Sequence, residues 1–201
     1  KELMAVDTFF YHMVDYPGEM TELASKLQPF MRKVFDVVSE SPAELILSGA
    51  NYDAAITIPS LFKEHIAPEL KYQSNILHKK GKFLVTHTDG ENMGLLEHYV
   101  AAGFDVADSI CPYPMTKCTL KEVREAFDKK ITIWGGIPSI SVLESAMSDY
   151  EFEKYLDDLL QNIGDGDHLI FSIADTVPPA AKFDRILTIA KKVREFGPVK
   201  V

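Results

Sequence analysis

Lys82-Phe83-Leu84-Val85-Thr86-His87-Thr88-Asp89-Gly90 decides how this chain is read. Residues 82–88 form a nearly continuous apolar run, the pattern of a strand that a parallel sheet buries on both faces. The run stops on two ionisable residues. Residues i and i+2 of a strand face the same way, so His87 and Asp89 are predicted to point together toward a bound ligand. Four further apolar runs stop in a similar way: Leu45–Gly49 before Asn51 and Asp53, Phe104–Ile110 before Cys111, Ile131–Trp134 before Gly135-Gly136, and Leu169–Ala174 before Asp175. Helix-like segments follow most of them. This alternation is the grammar of a β/α protein whose parallel strands deliver chemistry at their C-terminal ends.

The intervening segments read as helices. Residues 1–15 are predicted to form a short helix ended by Tyr16-Pro17-Gly18. Met20, Leu23, Leu27, Phe30, Met31, Val34, Phe35 and Val38 carry a helical rhythm over 18–42. Pro59 opens a helix to about Lys80, and another spans about 92–102, closed by Gly103. Thr119 with Glu122 is a capping-box signature starting a helix to about Lys129. Residues 139–163 read as helix broken near Ser148-Asp149, and 178–196 as a final helix. Met13, Met20, Met31 and Met93 read as core fillers and Trp134 as a core residue, while His65, His78, His98 and His168 read as solvated.

With 201 residues the chain is long enough for one domain with a substantial core. A formal net charge of −9 disfavours binding to phosphate backbones, so no nucleic-acid partner is expected. No apolar run reaches the ~18 residues of a membrane span, and no signal peptide is visible at the start. Cys111 and Cys118 are the only cysteines, which points to a reducing, cytoplasmic setting. About five strands are readable, whereas a (β/α)₈ barrel needs eight and about 250 residues. The chain is therefore expected to be either an incomplete barrel lacking N-terminal strands or an open doubly wound sheet.

Several segments, in order, resemble the uroporphyrinogen decarboxylase superfamily. They are Asn51-Tyr52-Asp53, Pro59-Ser60-Leu61-Phe62, Ile66-Ala67-Pro68, the lysine-rich turn into Val85-Thr86-His87-Thr88-Asp89-Gly90, Leu95-Leu96, and Ala102-Gly103-Phe104-Asp105. Ile133-Trp134-Gly135-Gly136-Ile137-Pro138 and Ala174-Asp175 with Pro178-Pro179 complete the set. The resemblance implies a (β/α)₈ TIM-type barrel of which this chain holds the C-terminal five or so β/α units, as a single incomplete-barrel domain over 1–201. In the corrinoid-linked methyltransferase branch, a His-x-Cys at this strand end holds zinc, with a further cysteine near the last strand. His87 matches the histidine, Asp89 stands in the cysteine's place, and no cysteine lies near Ala174. Carboxylate in place of thiolate shifts such a site toward harder ligation. The decarboxylase branch binds its substrate's carboxylates through N-terminal arginines and an aspartate, and carries a histidine after the last strand. That histidine has no counterpart here.

Each candidate has a plainer reading. His87 and Asp89, the expected catalytic pair and the expected ligands of zinc or another divalent metal, also suit a strand-end turn. Asn51, Asp53, Gly135, Gly136 and Asp175 are expected to bind substrate. Asn51, Asp53 and Asp175 equally suit turns or helix caps, and the glycines equally suit close backbone packing. Cys111 reads as a small buried hydrophobe and Cys118 as inert.

Three functions compete. The first is methyl transfer to or from a small-molecule substrate, with a corrinoid carried by a partner protein. The second is cofactor-free decarboxylation of a polycarboxylated substrate, whose anchors are not supplied by Arg32, Arg124, Arg185 or Arg194, all in helical stretches. The third is an inactive fragment. An incomplete barrel leaves apolar strand surface uncovered, so the isolated chain is expected to form a homodimer or to be poorly soluble. Light scattering at high concentration tests this, and a monodisperse monomer would count against it.

Overall fold

Five parallel strands hydrogen-bond in the order in which they occur in the chain: β1 (Leu45–Leu47), β2 (Phe83–His87), β3 (Val106–Ile110), β4 (Thr132–Pro138) and β5 (Leu169–Ala174). The structure, a computed structural model, describes residues 4–49 and 51–199. Two compact units divide the chain at Pro42/Ala43. The first holds α1 (Val6–Asp15) and α2 (Pro17–Ser39). The sheet lies wholly in the second, with α3 (Pro59–Leu61), α4 (Ala67–His78), α5 (Leu96–Ala102), α6 (Leu120–Phe127), α7 (Asp149–Gln161) and α8 (Phe183–Phe196).

Sequential order excludes the doubly wound alternative. That architecture reverses strand order at a switch point, whereas right-handed crossovers between consecutive neighbours put every crossover helix on one face. Burial along the strands agrees. Ile46, Leu84, Thr86, Ala107 and Ile133 share one face through the strand register and are all buried. Leu45, Leu47, Phe83, Trp134 and Ile170 lie on the other and are exposed, although Val85 and Val106 at its centre are buried. Trp134 is therefore not a core residue. Its neighbours in register place it on the open face, where it is 38% exposed.

The helix-covered face carries the core. Tyr52, Phe62, Tyr99, Phe104 and Phe127 form a run of ring contacts with centroids 5.2–6.5 Å apart. The edge-on pairs among them, Tyr52–Phe62 and Phe62–Tyr99, add about 0.5–1.5 kcal/mol each beyond burial. Further along the sheet, Ile137 packs with Val142, Phe152, Leu156 and Ile189. Buried Arg185 of α8 binds the carbonyls of Ser141, Leu143 and Met147 and the Asp149 carboxylate, tying the turn after β4 to the start of α7. Thr119 and Ser148 both form full capping boxes, with Glu122 and Glu151, at the starts of α6 and α7; each N-cap contributes about 1 kcal/mol.

Local chemistry explains where the elements depart from the sequence reading. Pro68 has no N–H to donate, and the predicted 59–80 helix widens there into a π turn over Phe62–Ile66, with the Ala67 N–H bonded to the Phe62 carbonyl. Asn92 donates to the carbonyls of Asp89 and Gly90 and so competes with helix, and α5 starts only at Leu96. Met93 consequently sits in an exposed turn. Met31 lies on an exposed stripe of α2 with Leu27, Phe30 and Val34, so neither methionine fills the core. Pro179 disfavours helical backbone at Pro178, and the last helix begins at Phe183.

One irregularity bears on the site. The β3–β4 register shifts between Asp108 and Ile110. Ser109 takes a left-handed conformation with φ 67°, is buried, and its hydroxyl has no partner among the described residues. Opposite the bulge, a Cβ added to Gly135 would lie 2.6 Å from the Ile110 carbonyl oxygen. Gly135→Ala is therefore expected to lower stability by about 3 kcal/mol. Ser109→Gly, which relieves the strain and removes the orphan hydroxyl, should leave stability unchanged or raise it by up to about 1 kcal/mol. Urea unfolding of both variants checks this, and an unchanged midpoint for Gly135→Ala would refute the packing role.

Candidate functional site

The site is built where β2 ends. His87 closes the strand, and Asp89 follows in a left-handed conformation with φ 41°. Such backbone is uncommon for a residue with a side chain. It is held from behind: Asn92, which binds the Asp89 and Gly90 carbonyls, accepts through its Oδ1 a 2.6 Å hydrogen bond from the buried Tyr99 hydroxyl. Burial pushes that phenol strongly upward from its ordinary pKa, so it acts as a neutral donor.

Side chains from four strands meet at this end of the sheet. Asn51, just beyond β1, donates from Nδ2 to Asp89 Oδ2 at 2.8 Å. His87 Nδ1 lies 2.7 Å from Oδ2 of Asp108 on β3, its register partner. His87 Nε2 lies 3.6 Å from Oδ1 of Asp175, the residue after β5. In a flat sheet β2 and β5, three positions apart, would be roughly 14 Å from each other. A 3.6 Å approach across that interval is what a concave sheet, curled as a barrel wall, permits.

His87, Asp89 and Asp175 each offer a ligand atom, and these atoms lie within 4.8 Å of one another. The Nε2–Asp175 separation is too long for a hydrogen bond. Two donors on one cation, each about 2.1 Å from it, lie roughly 3.0–3.5 Å apart, close to the spacing seen. The set of one imidazole and two carboxylates suits zinc, manganese or ferrous iron and lacks the thiolates of a soft site.

The other expected substrate residues are engaged elsewhere. Asp53 sits at the same end of the sheet, but its carboxylate accepts from the backbone N–H groups of Ala55 and Glu91, bracing the loops after β1 and β2. Gly135 faces the Ile110 backbone, and Gly136 faces Leu120 and Phe171, so both serve strand and helix packing. Asp108 is not a strand-end residue in the sequence. Its signal was a lone carboxylate inside the apolar strand Val106-Ala107-Asp108-Ser109-Ile110.

The family model described as Uroporphyrinogen decarboxylase (URO-D) matches residues 3–196. The chain belongs to the uroporphyrinogen decarboxylase family. Among solved structures, a methyltransferase from Methanosarcina mazei superposes with a TM-score of 0.72 at 13% identity, over 98% of this chain and 55% of that one. That likeness establishes the fold: this chain corresponds to part of a (β/α)₈ barrel and spans about half the length of that protein. Comparison with curated protein sequences gives no match. No helix among the described residues is long and apolar enough to cross a membrane.

The two cysteines are buried, free thiols. Burial is the leading cause that raises Cys111 to about 11 and Cys118 to about 12. The folded protein thus keeps both protonated where the unfolded chain ionises them. From about pH 9 upward the unfolded state binds fewer protons, so stability should fall with rising pH, by up to about 1.4 kcal/mol per unit for each thiol, until the folded values are passed. Urea midpoints at about pH 8 and pH 10 measure the slope. It should be largely absent from the Cys111→Ala, Cys118→Ala double variant, and an equal slope there would exclude the thiols as its cause.

Proposed function

We propose that this chain is the active-site half of a metal-assisted methyltransferase, with a divalent cation held by His87 Nε2, Asp89 and Asp175 and the methyl group carried by a corrinoid on a separate protein. The observation that supports this reading is the convergence of those three side chains at the C-terminal ends of parallel strands, where barrel enzymes place their chemistry. Bound there, the cation would act as a Lewis acid that favours the anionic form of an acceptor thiol or hydroxyl. The chain's own part is to hold three donors in place: His87 by the end of β2 and Asp108, Asp89 by Asn51 and the Asn92–Tyr99 brace, and Asp175 by β5. The activity is that of the whole protein, of which this chain supplies these residues.

Decarboxylation of a polycarboxylated substrate is the weaker reading because it needs cationic anchors. The basic side chain beside Asp108 and Asp175 is His87, while Arg124 and Arg185 are committed to Asp167 and Asp149 in the helical layer.

The test combines metal content with turnover. Purified protein should retain a stoichiometric divalent metal and demethylate methylcobalamin in the presence of a thiol acceptor. His87→Ala should lose the metal and reduce turnover by ~10²-fold or more, with its melting temperature close to that of the wild type. Unchanged turnover would end the catalytic assignment of His87. Release of carbon dioxide from a porphyrinogen without methyl transfer would establish the decarboxylase reading instead.

A further inference from the structure

We infer that Asp108 is a positioning residue that fixes the tautomer and ring orientation of His87, leaving Nε2 as its ligand atom; this deepens the proposed metal reading and rests on it for its functional meaning. An ionised carboxylate only accepts hydrogen bonds. Against an ionised Asp108, the 2.7 Å contact between Asp108 Oδ2 and His87 Nδ1 is a hydrogen bond only with the proton on Nδ1. In the neutral imidazole the lone pair then sits on Nε2, the nitrogen that faces Asp175. Carboxylates that hold the far nitrogen of a ligating histidine in this way raise its basicity and restrict its rotation.

The placement of Asp108 is built into the sheet. In-register pairing puts it beside His87 on the same face. Thr88, the residue after His87, donates both its N–H and its Oγ1 hydroxyl to the Asp108 carbonyl, each at 2.8 Å. The bulge at Ser109 follows at once, so the strand departs from regular pairing just beyond the carboxylate. Bulges beside functional sites commonly re-aim a side chain in this manner. Both partners are about a quarter exposed, so the pair adjoins solvent and is not sealed in the core.

The experiment reads the tautomer directly. Nitrogen-15 NMR of the metal-free protein at about pH 8, where an ordinary imidazole is neutral, is compared for the wild type, Asp108→Asn and Asp108→Ala. Titrations with Mn²⁺ and with Zn²⁺ accompany it, and circular dichroism monitors the fold. Asp108→Asn keeps the side chain's shape while removing the carboxylate. The expected wild-type result is a predominant Nδ1–H form. Both variants should lose that bias and bind the ions roughly 10–100-fold more weakly while remaining folded. A wild type that is predominantly Nε2–H, or variants that keep the wild-type tautomer, would overturn the inference. A tautomer that depends on Asp108 in a wild type with no affinity for either ion would uphold the positioning role and refute the metal reading.

Discussion

Each strand pairs in parallel with its neighbour in sequence, and the rest of the structure depends on that constraint. Parallel pairing requires a long crossover, and right-handed crossovers between consecutive strands keep the crossover helices on one side. The sheet then has one covered face and one open face, and it curls. Because every strand runs the same way, all C-terminal ends share one rim. His87 and Asp175, 88 positions apart in the chain by their numbers, come within 3.6 Å through this geometry and not through any local motif.

Within that frame, the site's precision comes from backbone that departs from regular strand. Asp89 and Ser109 are left-handed, and the two flank the His87–Asp108 pair. Each departure is held by buried groups: Tyr99 and Asn92 behind Asp89, and the glycine of β4 opposite Ser109. Conformations of this kind persist only where surrounding structure determines them. The outer helical layer thus reaches the site through a chain of contacts, from the aromatic core through Tyr99 to the Asp89 loop.

Much of this was legible in the sequence. The five apolar runs became the five strands, because a continuous apolar run bounded by turn residues has few other uses in a β/α chain. Asn51, His87, Asp89 and Asp175 are legible as rim residues because each lies at or just beyond the end of a run. Asp53 obeys the same rule, and its carboxylate braces the loop backbone, which an aspartate after a strand does as readily as it meets a ligand. It also could not see Asp108. That residue lies within a strand, and its value depends on which residue of the next strand lies opposite, a property of register that no local pattern encodes. Trp134 was misread for a related reason: in a strand buried on both faces a tryptophan is core, but here one face is open.

The exposure of Trp134 has an optical consequence. It is the only tryptophan in the chain, and its Cα is paired with that of Asp108 across β3 and β4. An indole in water emits at longer wavelength than one in an apolar setting, so the chain's fluorescence colour is governed by what lies against the open face of the sheet. Whatever covers that face, be it further strands or a partner, draws water away from the ring and shifts its emission toward the blue.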